Sequence, residues 1–123
     1  MVERWTAVGV HFVGVYIEEA HAVDEWPIAE APRDVRQHCS LRERLDAARL
    51  LLAECAIAAP LAHRFYADSW PANPFNAAYA SWPFRFWVVS RTAVLFKPMP
   101  RGATYDLNEL EDFLRQYVAG RRD

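Results

Sequence analysis

Val10-His11-Phe12-Val13-Gly14-Val15-Tyr16-Ile17 is an almost unbroken β-branched and aromatic run, and it gives way abruptly to Glu18-Glu19. A run of this kind without alternation reads as a strand buried on both faces, the pattern of a parallel-sheet core. Charge dominates the next segment, Glu18 to Trp26, and Pro27 stops any regular element, so this stretch reads as a loop leaving a strand end. A doubly covered strand needs helices around it. The 123 residues supply about one domain, since single domains run to ~100–200 residues, and 1–123 is read as one. Hydrophobic residues at 53% exclude intrinsic disorder, and a net charge of -2 without a basic tail argues against a nucleic-acid partner. The longest uncharged runs, Trp5 to Ile17 and Ser69 to Phe84, fall short of the ~18–20 apolar residues of a membrane helix. No signal peptide is visible, so a cytoplasmic location without membrane contact is expected. Cys39 and Cys55 are too few for a disulfide framework or a zinc site, and are expected as thiols.

Ser40-Leu41-Arg42-Glu43 has the form of a capping box, and Leu41, Leu45, Ala48, Leu52 and Cys55 fall on one helical stripe, so a helix is expected from Ser40 to near Ala59-Pro60. Leu61 to Ala67 is a weaker strand, interrupted by His63 and Arg64. Asn73-Pro74 predicts a short helix over Phe75 to Ala80. Phe84 to Ser90 and Ala93 to Lys97 form a predicted antiparallel hairpin across Arg91-Thr92. Asp106 with Glu109 opens a last helix whose stripe is Leu107, Leu110, Leu114, Tyr117 and Val118, ending at Gly120. The order β-α-β-α-β-β-α defines an α/β chain, and a hairpin preceded by Pro83 and followed by a helix is how thioredoxin-like folds finish.

In open α/β sheets, ligands gather at the carboxyl ends of strands, which places Glu18, Glu19, His21, Asp24, Glu25 and Trp26 well for a site. A histidine beside carboxylates suits general acid–base work, because a carboxylate fixes its tautomer and stabilises its protonated form. The plainer alternative is a solvated loop whose acids cap the next turn. His21, His38 and the carboxylates match no metal-binding spacing, so no metal is expected. Cys39 precedes a helix start, where thiolate is stabilised, yet burial as an inert thiol is the expectation; Cys55 is expected in the core.

Tyr16-Ile17-Glu18-Glu19-Ala20-His21-Ala22-Val23-Asp24-Glu25-Trp26 closely resembles the signature of the iodothyronine deiodinase family, a strand ending in YIEEAH followed by an acidic turn and Trp. The likeness continues through His38 and the Leu-rich stretch Leu41 to Leu52, through Asp68 and Tyr79, and through Trp82-Pro83-Phe84-Arg85, which is similar to a Leu-Pro-Glu-Arg turn. Val94 to Lys97 and Tyr105 to Leu114 resemble the closing strand and helix. The resemblance implies a thioredoxin-like, peroxiredoxin-like selenium- or thiol-dependent oxidoreductase that removes iodine reductively from an aromatic substrate. It implies His21, Glu19 and His38 as catalytic residues, Trp26, Glu18, Pro83 and Arg85 as substrate-binding residues, no bound cofactor, and an external thiol reductant.

The same likeness puts the family's selenocysteine or cysteine nucleophile on a strand-helix unit before the YIEEAH strand. Met1 then falls within that helix, so the chain is expected to lack its first catalytic βα unit and to be inactive alone. Ala- and Arg-rich composition suggests a bacterial protein. The missing strand would leave two edges unpaired, at Val10–Ile17 and Phe84–Ser90, which predicts a poorly soluble or self-associating chain, a homodimer being one form, unless the two halves close directly in antiparallel fashion. Two rivals stay open: a non-catalytic thioredoxin-fold binding module, and a peroxiredoxin-like thiol enzyme using Cys39.

Overall fold

Residues 1–29, 34–102 and 104–121 are described by a computed structural model of the chain. They run as α1 (Val2–Thr6), β1 (Gly14–Tyr16), α2 (Leu41–Glu54), α3 (Ala59–Ala62), β2 (Phe65–Ala67), α4 (Pro74–Tyr79), β3 (Val88–Val89), β4 (Val94–Phe96) and α5 (Leu107–Ala119). The class is mixed α/β with two small sheets, one in each of two compact units, Met1–Pro83 and Phe84–Asp123. No helix among the described residues is long and apolar enough to cross a membrane.

In the first unit β1 and β2 pair in parallel, Gly14 opposite Phe65 and Tyr16 opposite Ala67. Gly14 is required there, because a Cβ would collide with the Phe65 ring. Only part of the Val10 to Ile17 run joins the ladder, and burial on both faces does not hold: Val13 is 59% exposed and β1 is half-buried throughout. Among the described residues β1 has a hydrogen-bonded strand on one side only, which leaves its far edge without the cover that a doubly buried strand needs.

The α2 start follows the expected cap in half. Ser40 Oγ accepts from the Glu43 N–H at 3.2 Å, but the Glu43 carboxylate reaches past Ser40 to the Cys39 N–H at 2.7 Å. The helix stops at Glu54, short of Pro60, which instead opens α3, where its missing N–H costs nothing. Cys55 is therefore the extended residue that closes α2 and is exposed, where the core was expected. Leu41, Leu45, Ala48 and Leu52 face Phe65 and Ala67 of β2 across an open groove of about 380 Å³.

Asn73 precedes Pro74 as expected, yet makes no capping bond and adopts φ 46. Asp68 performs that role: Oδ1 accepts from the Phe75 N–H at 3.0 Å and Oδ2 from the Asn76 N–H at 2.9 Å. Asp68 is in turn fixed to β1, its N–H donating to Tyr16 O at 2.8 Å.

The second unit pairs β3 and β4 antiparallel, Val88 opposite Phe96, with a bulge at Val89. The ladder is shorter than the Phe84 to Ser90 run suggests. Asp106 caps α5 through the Asn108 N–H at 2.9 Å, while Glu109, the expected reciprocal partner, pairs with Arg101 at 2.8 Å. Leu110 and Leu114 are buried, and Phe96 stacks on Phe113 with ring centroids 4.7 Å apart.

Candidate functional site

The loop after β1 is turned by Ala22, whose buried backbone carbonyl accepts from both the Glu25 and Trp26 N–H groups. That turn brings Trp26 back onto His21. The imidazole Nδ1 lies 3.3 Å from Trp26 O, and the two rings sit 5.0 Å apart at 56°. A carbonyl oxygen only accepts, so this pairing puts the proton on Nδ1 and makes Nε2 the basic nitrogen of the neutral ring. Trp26 in turn lies against Trp82, centroids 6.3 Å apart and planes 27° from parallel.

Gln37, which sequence reasoning missed, clamps the loop. Its Oε1 accepts from the Glu19 N–H at 3.1 Å, and its Nε2 donates to Glu19 O and to Glu25 Oε2, each at 3.0 Å. One amide thus satisfies both backbone groups of Glu19, as a neighbouring strand would. Gln37 N–H donates to Asp24 Oδ1 at 2.8 Å, and this bond above all, with Arg36 at 3.3 Å adding charge, holds the Asp24 carboxyl below the usual carboxylate range. Nothing local to residue 37 signals this, since the loop residues it holds, Glu19, Asp24 and Glu25, lie 12 to 18 residues away.

Glu18 is braced rather than free. Its Oε1 accepts from Asn76 Nδ2 at 2.7 Å and its Oε2 from Asn73 Nδ2 at a longer 3.5 Å. Asn73 Oδ1 accepts from Arg44 Nη1 at 2.6 Å, and the same Nη1 donates to Asp68 O at 3.1 Å. Arg44 is 1% exposed, so α2 sends a cation through its apolar side to tie the segments that carry Glu18 and Asp68.

His38 is buried beside Tyr16, their rings 5.6 Å apart, and neither of its nitrogens has a hydrogen-bond partner among the described residues. Burial first, then the Arg44 charge, pushes its pKa below the ordinary imidazole value against a smaller opposing effect of Glu43, so the ring is neutral near pH 7. Cys39, next to it, is exposed and not buried as expected; its Sγ lies 3.8 Å from Gln37 O. Burial was expected of Cys39 as a free thiol before the α2 cap; the position before the cap holds, and the side chain there is exposed. Both line an open cavity of about 440 Å³ with Asp24, Gln37 and Glu43. No group of three or more His, Cys, Asp or Glu side chains suited to a metal occurs among the described residues.

The remaining sequence candidates fall at the end of the first unit and in the second. Pro83 follows Trp82 through a cis peptide bond. Arg85 belongs to the second unit, where Nη1 donates to Phe84 O at 2.9 Å and to the Tyr105 hydroxyl at 2.8 Å.

A mixed α/β chain whose first strand ends in a histidine, carboxylate and tryptophan loop is the class these observations define. The family model for iodothyronine deiodinases matches residues 1–118, and the chain belongs to that family. It is 35% identical over 109 residues to thyroxine 5-deiodinase of Sparus aurata, covering 89% of this chain and 39% of that protein. It is 36% identical over 106 residues to the Aquarana catesbeiana enzyme, covering 86% of this chain and 37% of the relative. With the Sus scrofa enzyme it is 30% identical over 111 residues, 88% of this chain and 33% of that one. The chain thus spans between a third and two-fifths of the length of these relatives.

Proposed function

We propose that this chain is the substrate-positioning and proton-handling part of a thioredoxin-like oxidoreductase that removes iodine reductively from an aromatic ring. The observation that carries this reading is His21, held through Nδ1 by Trp26 O with an indole beside it, so that Nε2 is the nitrogen able to exchange a proton with a bound ring. In such a reaction an activated chalcogen attacks the halogen while a positioned acid protonates the ring carbon. His21 is that acid. Glu19, its backbone fixed by Gln37, holds the loop that presents His21. Trp26, Glu18 and Pro83 shape the substrate's surroundings, Glu18 through its asparagine bonds. No resident cofactor is needed, and an external thiol regenerates the selenium or sulfur nucleophile in a reducing, cytoplasmic setting.

The 123 residues contain two thiols, Cys39 and Cys55, and Cys39 sits beside His38 in the 440 Å³ cavity, which favours a peroxiredoxin-like thiol role as the second reading. Supplying the nucleophile from outside separates the two. With an aryl selenolate in excess, one selenolate takes iodine from 3,5-diiodotyrosine as the ring carbon gains a proton. A second selenolate then releases iodide and leaves a diselenide. The 123-residue chain is expected to be inert with dithiol alone and to accelerate iodide release with the selenolate. Equal release with and without the chain would overturn the reading, and turnover with dithiol that disappears in Cys39→Ser would favour the rival.

A further inference from the structure

Trp82 falls outside every residue assigned above, yet it is built into the first unit with care. Its N–H donates to Asn76 Oδ1 at 2.9 Å, the same amide donates through Nδ2 to Glu18 Oε1 at 2.7 Å, and the Asn76 N–H is held by Asp68 Oδ2 at 2.9 Å. One asparagine therefore locks the backbone of residue 82 to the loop that carries His21 and Trp26. The indoles that result are 40% and 58% exposed, side by side in offset stacking, with the His21 ring tilted against the second. Large aromatic faces left to water in a fixed arrangement point to a ligand.

We propose that Trp82 and Trp26 form a stacking platform for one planar aromatic ring, and that Trp82 is the residue that selects it; this rests on the reading of His21 as the proton donor to such a ring. The size of the surface favours a ring over a protein partner. A whole aromatic side chain accounts for roughly 150–250 Å², and these two are 40% and 58% exposed, so together they fall well under the ~800 Å² a side that stable protein interfaces need. Offset stacking suits flat, polarisable rings and gives nothing comparable to a saturated ring of the same bulk.

Isothermal titration of the 123-residue chain with 3,5-diiodotyrosine, tyrosine and cyclohexylalanine tests it without any turnover. Wild type is expected to bind diiodotyrosine and to bind cyclohexylalanine at least ~10-fold more weakly. Trp82→Leu should lose about 10-fold for diiodotyrosine, and Trp82→Phe should recover most of it, with the melting temperature of each close to wild type. Wild-type affinity in a folded Trp82→Leu would overturn the platform and leave the deiodinase reading standing. Tyrosine bound as tightly as diiodotyrosine would do the reverse, keeping the platform and removing iodine from the substrate. Equal affinity for cyclohexylalanine, or no binding of either aromatic ring by the folded chain, would overturn the platform, and the selenolate assay would then judge the reading alone.

Discussion

The two units fill their interiors differently. In the second, Leu110 and Leu114 are buried from α5, and Phe96, Phe113 and Tyr117 stack in series, 4.7 and 5.8 Å apart. In the first, buried positions include His38, Arg44, Asp68 and Ser81 alongside Trp5, Ile17, Ala22 and Ala48. Burying polar groups is costly unless each finds a partner, so a chain retains them where it needs fixed directions more than cohesion. Asp68 meets that condition through the α4 N–H groups and Arg44 Nη1 through Asn73, whereas Arg44 Nε and the His38 nitrogens find no partner among the described residues. An unsatisfied buried imidazole lies in the unit that carries the candidate site, which is where such a cost is ordinarily tolerated.

Substitutions in the two units should act differently. Leu114→Ala, removing a side chain 2% exposed, is expected to destabilise the second unit by about 3 kcal/mol. Hydrogen exchange of α5 amides would report it, and iodide release with selenolate should stay unchanged at temperatures where the variant is folded. Asp68→Ala removes the acceptor for three backbone N–H groups and should cost about 2 kcal/mol in the first unit. Unlike Leu114→Ala it should also weaken ring binding, because Asn76 loses its anchor. A purely thermal effect of Asp68→Ala, with binding intact, would erase the distinction between the units.

A smaller effect is expected from pH. The His38 pKa is lowered in the folded chain, so the unfolded chain binds more protons between that lowered value and 6.5. Stability from this group is complete above pH 6.5 and declines as pH falls through the folded pKa. Melting temperature measured across that range should show the decline in wild type and a flatter profile in His38→Phe. A slope of the same size in both would remove His38 as its source.

Locally encoded features were the legible ones. Ser40 as a cap, Pro74 at a helix start, the Val88 to Phe96 hairpin and the Leu110 and Leu114 face all depend on neighbours within a few residues. The run from Tyr16 to Trp26 was legible as a family signature, and the structure adds why His21 and Trp26 stand together, through the Ala22 turn. What escaped is long-range and polar. Gln37 acts on residues 12 to 18 positions away, and Asp68 takes over the cap that Asn73 advertises, while Asn73 turns to Arg44 and Glu18. Periodicity placed Cys55 on the apolar stripe because it assumes that α2 continues, and extended backbone at residue 55 removes that assumption.

His21, and not any other histidine, is the group proposed to deliver the proton to the ring. Iodide release from diiodotyrosine with excess aryl selenolate, compared between His21→Ala and His63→Ala, tests it most directly. His63 closes α3 and has no place in the proposed chemistry. His21→Ala should lower the chain-dependent rate by ~10²-fold or more, as for a lost general acid, with His63→Ala near wild type and both folded. Equal losses in the two variants, or none in His21→Ala, would contradict the account.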